Sequence, residues 1–339
     1  MSRRSTIVKG VGLAAAAGVG AYTAARWAAG RARRREDPYA GTPFESLPDV
    51  EHRITTADGS HLHVIERGEG IPVVLAHGVT NDHRTWFHQV EDLPAHGIRA
   101  IAFDQRGHGR STVGDAGFGV GPLAEDLRAL LEGLDLRGAV LVGHSMGGMG
   151  VQTLACHFPE VVKERVAGLV LVGTTSHALR FWRRLAALPE GLTKSGEDWF
   201  DRVMLHDDIG YLLTRIGLGR RPHASHVELV RTMLLQCPVD TRQRATRALM
   251  EYDVRELLCD VQVPVLVMCG TRDALAPLRA SRRIVEALPQ ADLALVPGAG
   301  HMPMLEAADE VTKVIAEFAH RVSVIDGPEP GSPDQRTTA

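Results

Sequence analysis

Six short apolar runs recur along the chain: "IPVVLAH" at 71–77, "IRAIAFD" at 98–104, "AVLVGH" at 139–144, "AGLVLVG" at 167–173, "VPVLVMCG" at 263–270 and "ADLALVPG" at 291–298. Each is rich in branched residues and lacks polar alternation, the pattern of strands buried on both faces. Helical spacing fills several of the intervals, as in "LAEDLRALLEGL" at 123–134. Ahead of the runs, "HRITTADGSHLHVIERG" reads as two strands around an Asp58-Gly59 turn. The alternation of runs and helical segments predicts an α/β fold with a mostly parallel sheet. One interval breaks the rhythm: about ninety residues separate Gly173 from Val263, too many for a single crossover helix. Helix-like apolar spacing there, interrupted at Gly191, Gly219 and Pro238, predicts an inserted helical cap over 177–250.

Both ends differ from the body. Residues 10–25 are uncharged and rich in Ala and Gly, with Arg3, Arg4 and Lys9 before them and Arg26, Arg31, Arg33, Arg34 and Arg35 after. Sixteen helical residues reach about 24 Å, short of the hydrocarbon thickness unless Lys9 and Arg26 snorkel outward. Residues 1–36 therefore read as an anchor or targeting segment, and the arginines on its far side would hold the body in the cytoplasm. The alternative is a twin-arginine-like export signal in "SRRSTIVK". The tail 326–339 has the Pro, Gly and polar composition of a disordered segment. Between these ends the α/β core is expected over 37–176 and 251–325, either side of the cap.

With 44 % hydrophobic residues the chain can bury a large core, and a formal net charge of −3 gives no electrostatic reason to expect nucleic acid as a partner. Cys156, Cys237, Cys259 and Cys269 are too scattered for a zinc site or a disulfide framework and read as buried, inert thiols. His61 and His63 alternate on a strand without a neighbouring cysteine or carboxylate cluster in sequence, so no metal site is expected.

The chemistry begins at "LVGHSMGGMG", residues 141–150. A nucleophile must project from the backbone, and a sharp strand-to-helix turn exposes it while crowding its neighbours, which glycines relieve. Gly143 and Gly147 lie two residues either side of Ser145, with a strand pattern before and a helix pattern after. Two later strand ends carry the groups that a serine lacks: Asp273 after "VPVLVMCGTR" and His301 after "ADLALVPGAG". A base must take the hydroxyl proton, and a carboxylate must orient the imidazole. Strand ends of a parallel sheet line one edge, where distant residues meet.

Four stretches, "HG" at 77–78, "FDQRGHGRS" at 103–111, "GHSMGG" at 143–148 and "GTRD…GAGHMPMLE" over 270–306, resemble the α/β-hydrolase superfamily, specifically its lid-bearing serine esterases and lipase-like members. The resemblance covers about residues 45–320 and implies an eight-stranded, mostly parallel sheet flanked by helices. It implies Ser145 as nucleophile, Asp273 as orienting acid, His301 as base, and the backbone N–H groups of Val79 and Met146 as the oxyanion hole. The single glycine after His77, where some lipases have three, argues against bulky tertiary-alcohol esters. No cofactor is implied. Ester hydrolysis through an acyl-enzyme is the expected reaction, on a small to medium hydrophobic ester; thioesters, lactones, carbon–carbon bonds and peracid formation use the same chemistry, and the remaining alternative is a non-catalytic ligand-binding protein of this fold.

Other residues take lesser parts. His144 is expected to pack or hydrogen-bond structurally, and Asp104 and Arg106 to form an ion pair bracing a loop. His77, Gly78, Phe181, Trp182, Trp199 and Met302 are candidates for the substrate pocket, with Phe200 and Met233 behind them.

Overall fold

The computed structural model describes residues 22–178, 200–288 and 290–323. Eight strands form one sheet in the order β1-β2-β4-β3-β5-β6-β7-β8: β1 Val50–Thr55, β2 His61–Arg67, β3 Ile71–Ala76, β4 Ile98–Phe103, β5 Ala139–His144, β6 Val166–Val172, β7 Val265–Gly270 and β8 Ala291–Val296. The β1/β2 hairpin turns at Asp58-Gly59, and β2 also runs antiparallel to β4; every later pairing is parallel.

The absence of polar alternation has a direct cause. Along β3, Val73 and Leu75 enter one apolar core while Val74 and Ala76 enter another on the opposite face. Val140 and Val142 divide from Leu141 in the same way on β5. Helices cover both faces, so both sets of side chains need to be apolar. Helix α1, Val120–Gly133, shows how: Leu123, Leu127, Leu130 and Leu131 share its buried stripe. The last run departs from the expectation of two buried faces. Strand β8 is the sheet's edge, and Leu293 and Leu295 are exposed.

The strand order positions the site. After β3 the chain builds β4 on one side, then returns to place β5 on the other, so the loops following β3 and β5 part in opposite directions. A crevice opens at such a reversal, outside the carboxyl ends of the strands.

The chain leaves the core and comes back to it at a neck where His177 bridges Asp253, reinforced by the Ala178 N–H to the Tyr252 carbonyl and the Val254 N–H to the Ser176 carbonyl. The described part of the cap carries helices α2 Asp207–Ile216, α3 Ala224–Gln236 and α4 Val239–Glu251, with Pro238 separating the last two. Helix α5, Ala308–Ser323, closes the core against β3 and β6.

Most of the apolar stretch 10–25 lies outside the described residues, as does the tail. Residues 22–33 are helical and lie against the cap. Arg33 bonds the Asp208 carboxylate at 2.8 Å and that of Glu228 at 3.1 Å, and covers the Tyr211 ring at 4.4 Å. Asp37 accepts from the backbone and hydroxyl of Ser225. Among the described residues no helix is long and apolar enough to cross a membrane.

Candidate active site

Ser145 stands between β5 and helix α6, Met146–His157, with φ 49° and ψ −112°. A side chain rarely adopts such a backbone, and the cost is about 1–3 kcal/mol. Packing enforces it. The Ser145 N–H donates to the Val172 carbonyl at 2.9 Å, and the Thr174 hydroxyl donates to the Ser145 carbonyl at 2.7 Å. Gly147 admits no side chain, because a β-carbon there would strike the carbonyl oxygens of Ala76 and His77. The helix can therefore start directly over the end of β3.

His301 and Asp273 follow β8 and β7. The His301 Nδ1 lies 2.9 Å from Asp273 Oδ2, while Asp273 Oδ1 accepts the N–H groups of Leu275 and Ala276, each at 2.8 Å. An ionised carboxylate only accepts, so Nδ1 carries the proton and Nε2 keeps a free lone pair. Burial pulls the His301 pKa down, but the charge and hydrogen bond of Asp273, with a contribution from Glu306, outweigh it and leave the group above its ordinary value. Gly173, just after β6, ties this pair to the serine turn: a β-carbon there would lie 3.2 Å from Asp273 Oδ2 and 3.5 Å from His301 Nδ1, one residue after the carbonyl that holds Ser145. His144, beside the serine, donates Nε2–H to the His301 carbonyl at 2.8 Å and stays neutral through burial. The structure thus brings Ser145, Asp273 and His301 to one edge of the sheet.

The loop after β3 faces them. A side chain on Gly78 would strike the His144 ring and approach Ser145 Cβ at 3.3 Å, so the backbone around Val79 runs past the serine. Met146 N–H is the first of its helix and has no partner within it. His77 is fully buried: Nδ1 bonds the Gly78 carbonyl at 2.7 Å, and Nε2 accepts the Gln105 N–H at 2.9 Å. It braces the loop from behind. His108 does likewise through the Thr80 N–H at 3.2 Å, and burial and the nearby His77 ring hold its pKa down at about 3.

The remaining candidates separate. Met302 is buried, with Asn81 Nδ2 at 3.8 Å from its sulfur, and Met233 is buried against the Thr85 hydroxyl. Phe200 is exposed beneath Arg242. Phe181, Trp182 and Trp199 lie outside the described residues. Where core and cap meet, a cleft of about 360 Å³ is lined by Asn81, Asp82, His83, Arg84 and Asp104 from the core and Met233 from the cap.

Two expectations need correction. Asp104 and Arg106 do not pair with each other. Asp104 accepts from His63 Nδ1 at 3.1 Å and His83 Nδ1 at 2.8 Å, whereas Arg106 grips Asp126 through two bonds of 2.7 Å and reaches Asp58 at 3.0 Å. Each found a partner from a distant element. No cysteine or carboxylate cluster accompanies His61 and His63 in the sequence, but the fold gathers His63, His83 and Asp104 closely enough to hold an ion. Their protons are already placed, however. Arg110 Nη1 donates to His63 Nε2 at 2.7 Å, which leaves the proton on Nδ1, pointing at Asp104. Binding a metal would require displacing that arrangement. Finally, Cys156 is only half-buried, while burial lifts Cys237 to about 12 and raises Cys269.

Sequence reasoning assigned nothing to Glu306, although it stood in the quoted "GAGHMPMLE". Its carboxylate accepts from the backbone N–H groups of Gly219, Gly300 and Met302, a set of partners visible only once the cap is folded down.

Residues 71–308 match the family model described as alpha/beta hydrolase fold. A non-heme chloroperoxidase of Streptomyces lividans is 32 % identical over 259 residues, covering 73 % of this chain and 92 % of that protein. An AB hydrolase superfamily protein of Bacillus subtilis is 27 % identical over 275 residues, covering 79 % and 99 %. Among solved structures, a thermophilic esterase from Thermogutta terrifontis superimposes with a TM-score of 0.68 at 28 % identity, covering 80 % of this chain and 99 % of that one. With the family model spanning the sheet from β3 through the His301 loop, the chain belongs to the α/β hydrolase fold family and is an enzyme of that family.

Proposed function

We propose that the protein is a serine esterase that cleaves small to medium hydrophobic carboxylic esters through an acyl-enzyme. The observation that carries this reading is the strained Ser145 turn at the strand-order reversal, beside an imidazole whose Nδ1 proton is committed to Asp273. His301 Nε2 takes the hydroxyl proton as Ser145 Oγ attacks the ester carbonyl. Negative charge developing on the carbonyl oxygen is met by the N–H groups of Met146 and Val79. The imidazolium returns its proton to the leaving alcohol, and water, activated by the same nitrogen, releases the acid and frees the serine.

A fluorophosphonate probe tests the assignment. It should label Ser145, located by peptide mass spectrometry, at a rate that climbs with pH. Because only neutral His301 acts as a base and its pKa is raised, the midpoint of that rise should lie above the ordinary imidazole value of about 6.5. Folded protein that stays unlabelled across this range rejects the reading.

A second reading has a specific support, the relative named a non-heme chloroperoxidase. If hydrogen peroxide in place of water attacks the acyl-enzyme, the products are a peracid and free serine, and no electrons pass to the protein. Peracid formation measured against hydrolysis of one ester separates the two.

We also read residues 10–25 as a membrane anchor with the catalytic body on the cytoplasmic side. The uncharged stretch between clusters of arginine supports this. The full chain should sediment with vesicles containing anionic lipid and be lost from them when residues 1–21 are removed; equal sedimentation of both forms contradicts it.

A further inference from the structure

Glu306 closes the short helix Pro303–Glu306, five residues after His301, and its side chain turns back onto the loop that carries the base. Oε1 accepts the N–H of Gly300 at 3.0 Å and of Met302 at 3.2 Å, the two neighbours of His301 in sequence. Oε2 accepts the N–H of Gly219, which belongs to the cap just beyond α2, at 2.5 Å. Around this carboxylate the two loops interlock. The His301 N–H donates to the Gly217 carbonyl at 2.9 Å, and the Arg220 N–H to the Gly298 carbonyl at 3.0 Å. Neither Gly219 nor Gly300 has room for a side chain, since each would strike the other loop's backbone. The contact is therefore backbone on backbone, with one charged group knitting it.

Burying a carboxylate is costly even when three donors meet it. A neutral acceptor would hold the same N–H groups with less desolvation. What the charge adds is a field at His301, whose proton affinity Glu306 raises together with Asp273. Among the described residues, the other titratable group against the imidazole is His144, which burial keeps neutral, and the side chains of Arg220 and Arg272 on the adjoining backbone are exposed.

We propose that Glu306 is a positioning residue for the reaction: it locks the loop bearing His301 onto the cap and, as a second carboxylate behind Asp273, favours the imidazolium formed when Ser145 is deprotonated. This rests on His301 being the base. The cap is then part of the catalytic framework rather than only a cover over the substrate.

The test compares the full-length protein with Glu306→Gln, Glu306→Asp and Glu306→Ala, following kcat, KM and the pH profile of kcat/KM on a p-nitrophenyl ester, with fluorophosphonate labelling in parallel. Removing the charge should move the acid limb of the Glu306→Gln profile to lower pH by roughly half a unit. Its kcat should fall about tenfold with KM within about twofold, since a mispositioned base harms the chemical step more than binding. Glu306→Asp keeps the charge and shortens the reach, so its acid limb should stay with the parent while kcat drops. Glu306→Ala should lose about 100-fold in kcat. Should the alanine variant fail to fold, the glutamine and aspartate variants still decide. A parent protein that is labelled at Ser145, together with a Glu306→Gln acid limb that does not move, overturns this proposal alone. A parent protein that is never labelled overturns the esterase reading beneath it.

Discussion

Replacing Ser145 with alanine should lower kcat on a short p-nitrophenyl ester by at least about 10⁴-fold, because no group remains to form the acyl-enzyme. The fold should survive. Alanine retains the β-carbon that serine already forces into the φ 49° turn, and the Ser145 backbone contacts to Val172 and Thr174 do not involve the hydroxyl. Circular dichroism and urea titration should therefore superimpose on the parent to within about 1 kcal/mol. Glycine at the same position should be equally inactive, and relief of the left-handed strain should leave it no less stable than the alanine form. Residual turnover within about tenfold of the parent would place the nucleophile elsewhere.

The largest effect on stability is expected at Arg106. Its guanidinium is 1 % exposed and holds Asp126, a fully buried carboxylate on α1, through a two-pronged pair; further bonds reach Asp58 in the hairpin turn and the Gly117 carbonyl. Burial already raises the Asp126 pKa against the pull of Arg106. Arg106→Met strands that carboxylate in an apolar setting, and the expected loss is about 3–5 kcal/mol, read by urea denaturation at neutral pH. Arg106→Met with Asp126→Leu should recover most of it, since removing both partners also removes the buried charge. A single variant within about 1 kcal/mol of the parent would show that water reaches Asp126.

These two positions mark what was legible in the chain and what was not. The strands could be read because a sheet covered on both faces requires unbroken apolar runs, and Asp58-Gly59 could be read because a tight hairpin turn needs those residue types. Edge status could not, since "ADLALV" resembles the inner strands while its neighbour on one side is solvent. At the site, Ser145, Asp273 and His301 each follow the carboxyl end of a recognisable strand, so parallel pairing carries them to the same edge. The polar partnerships escaped because they are set by three-dimensional neighbours: Asp104 meets His63 and His83, Arg106 meets Asp126, and His77 turns inward to Gln105 although its position suggested the pocket. Glu306 escaped for the same reason, as Gly219 lies 87 residues away in sequence.

The seat of Arg33 between Asp208 and Glu228 changes how a soluble form of this protein has to be cut. Trimming at residue 37, just past the arginine cluster, would take the Arg33 cation from Asp208, leave Glu228 to Arg231 and uncover Tyr211 on the cap. A shortened version that begins near residue 22 keeps that clasp.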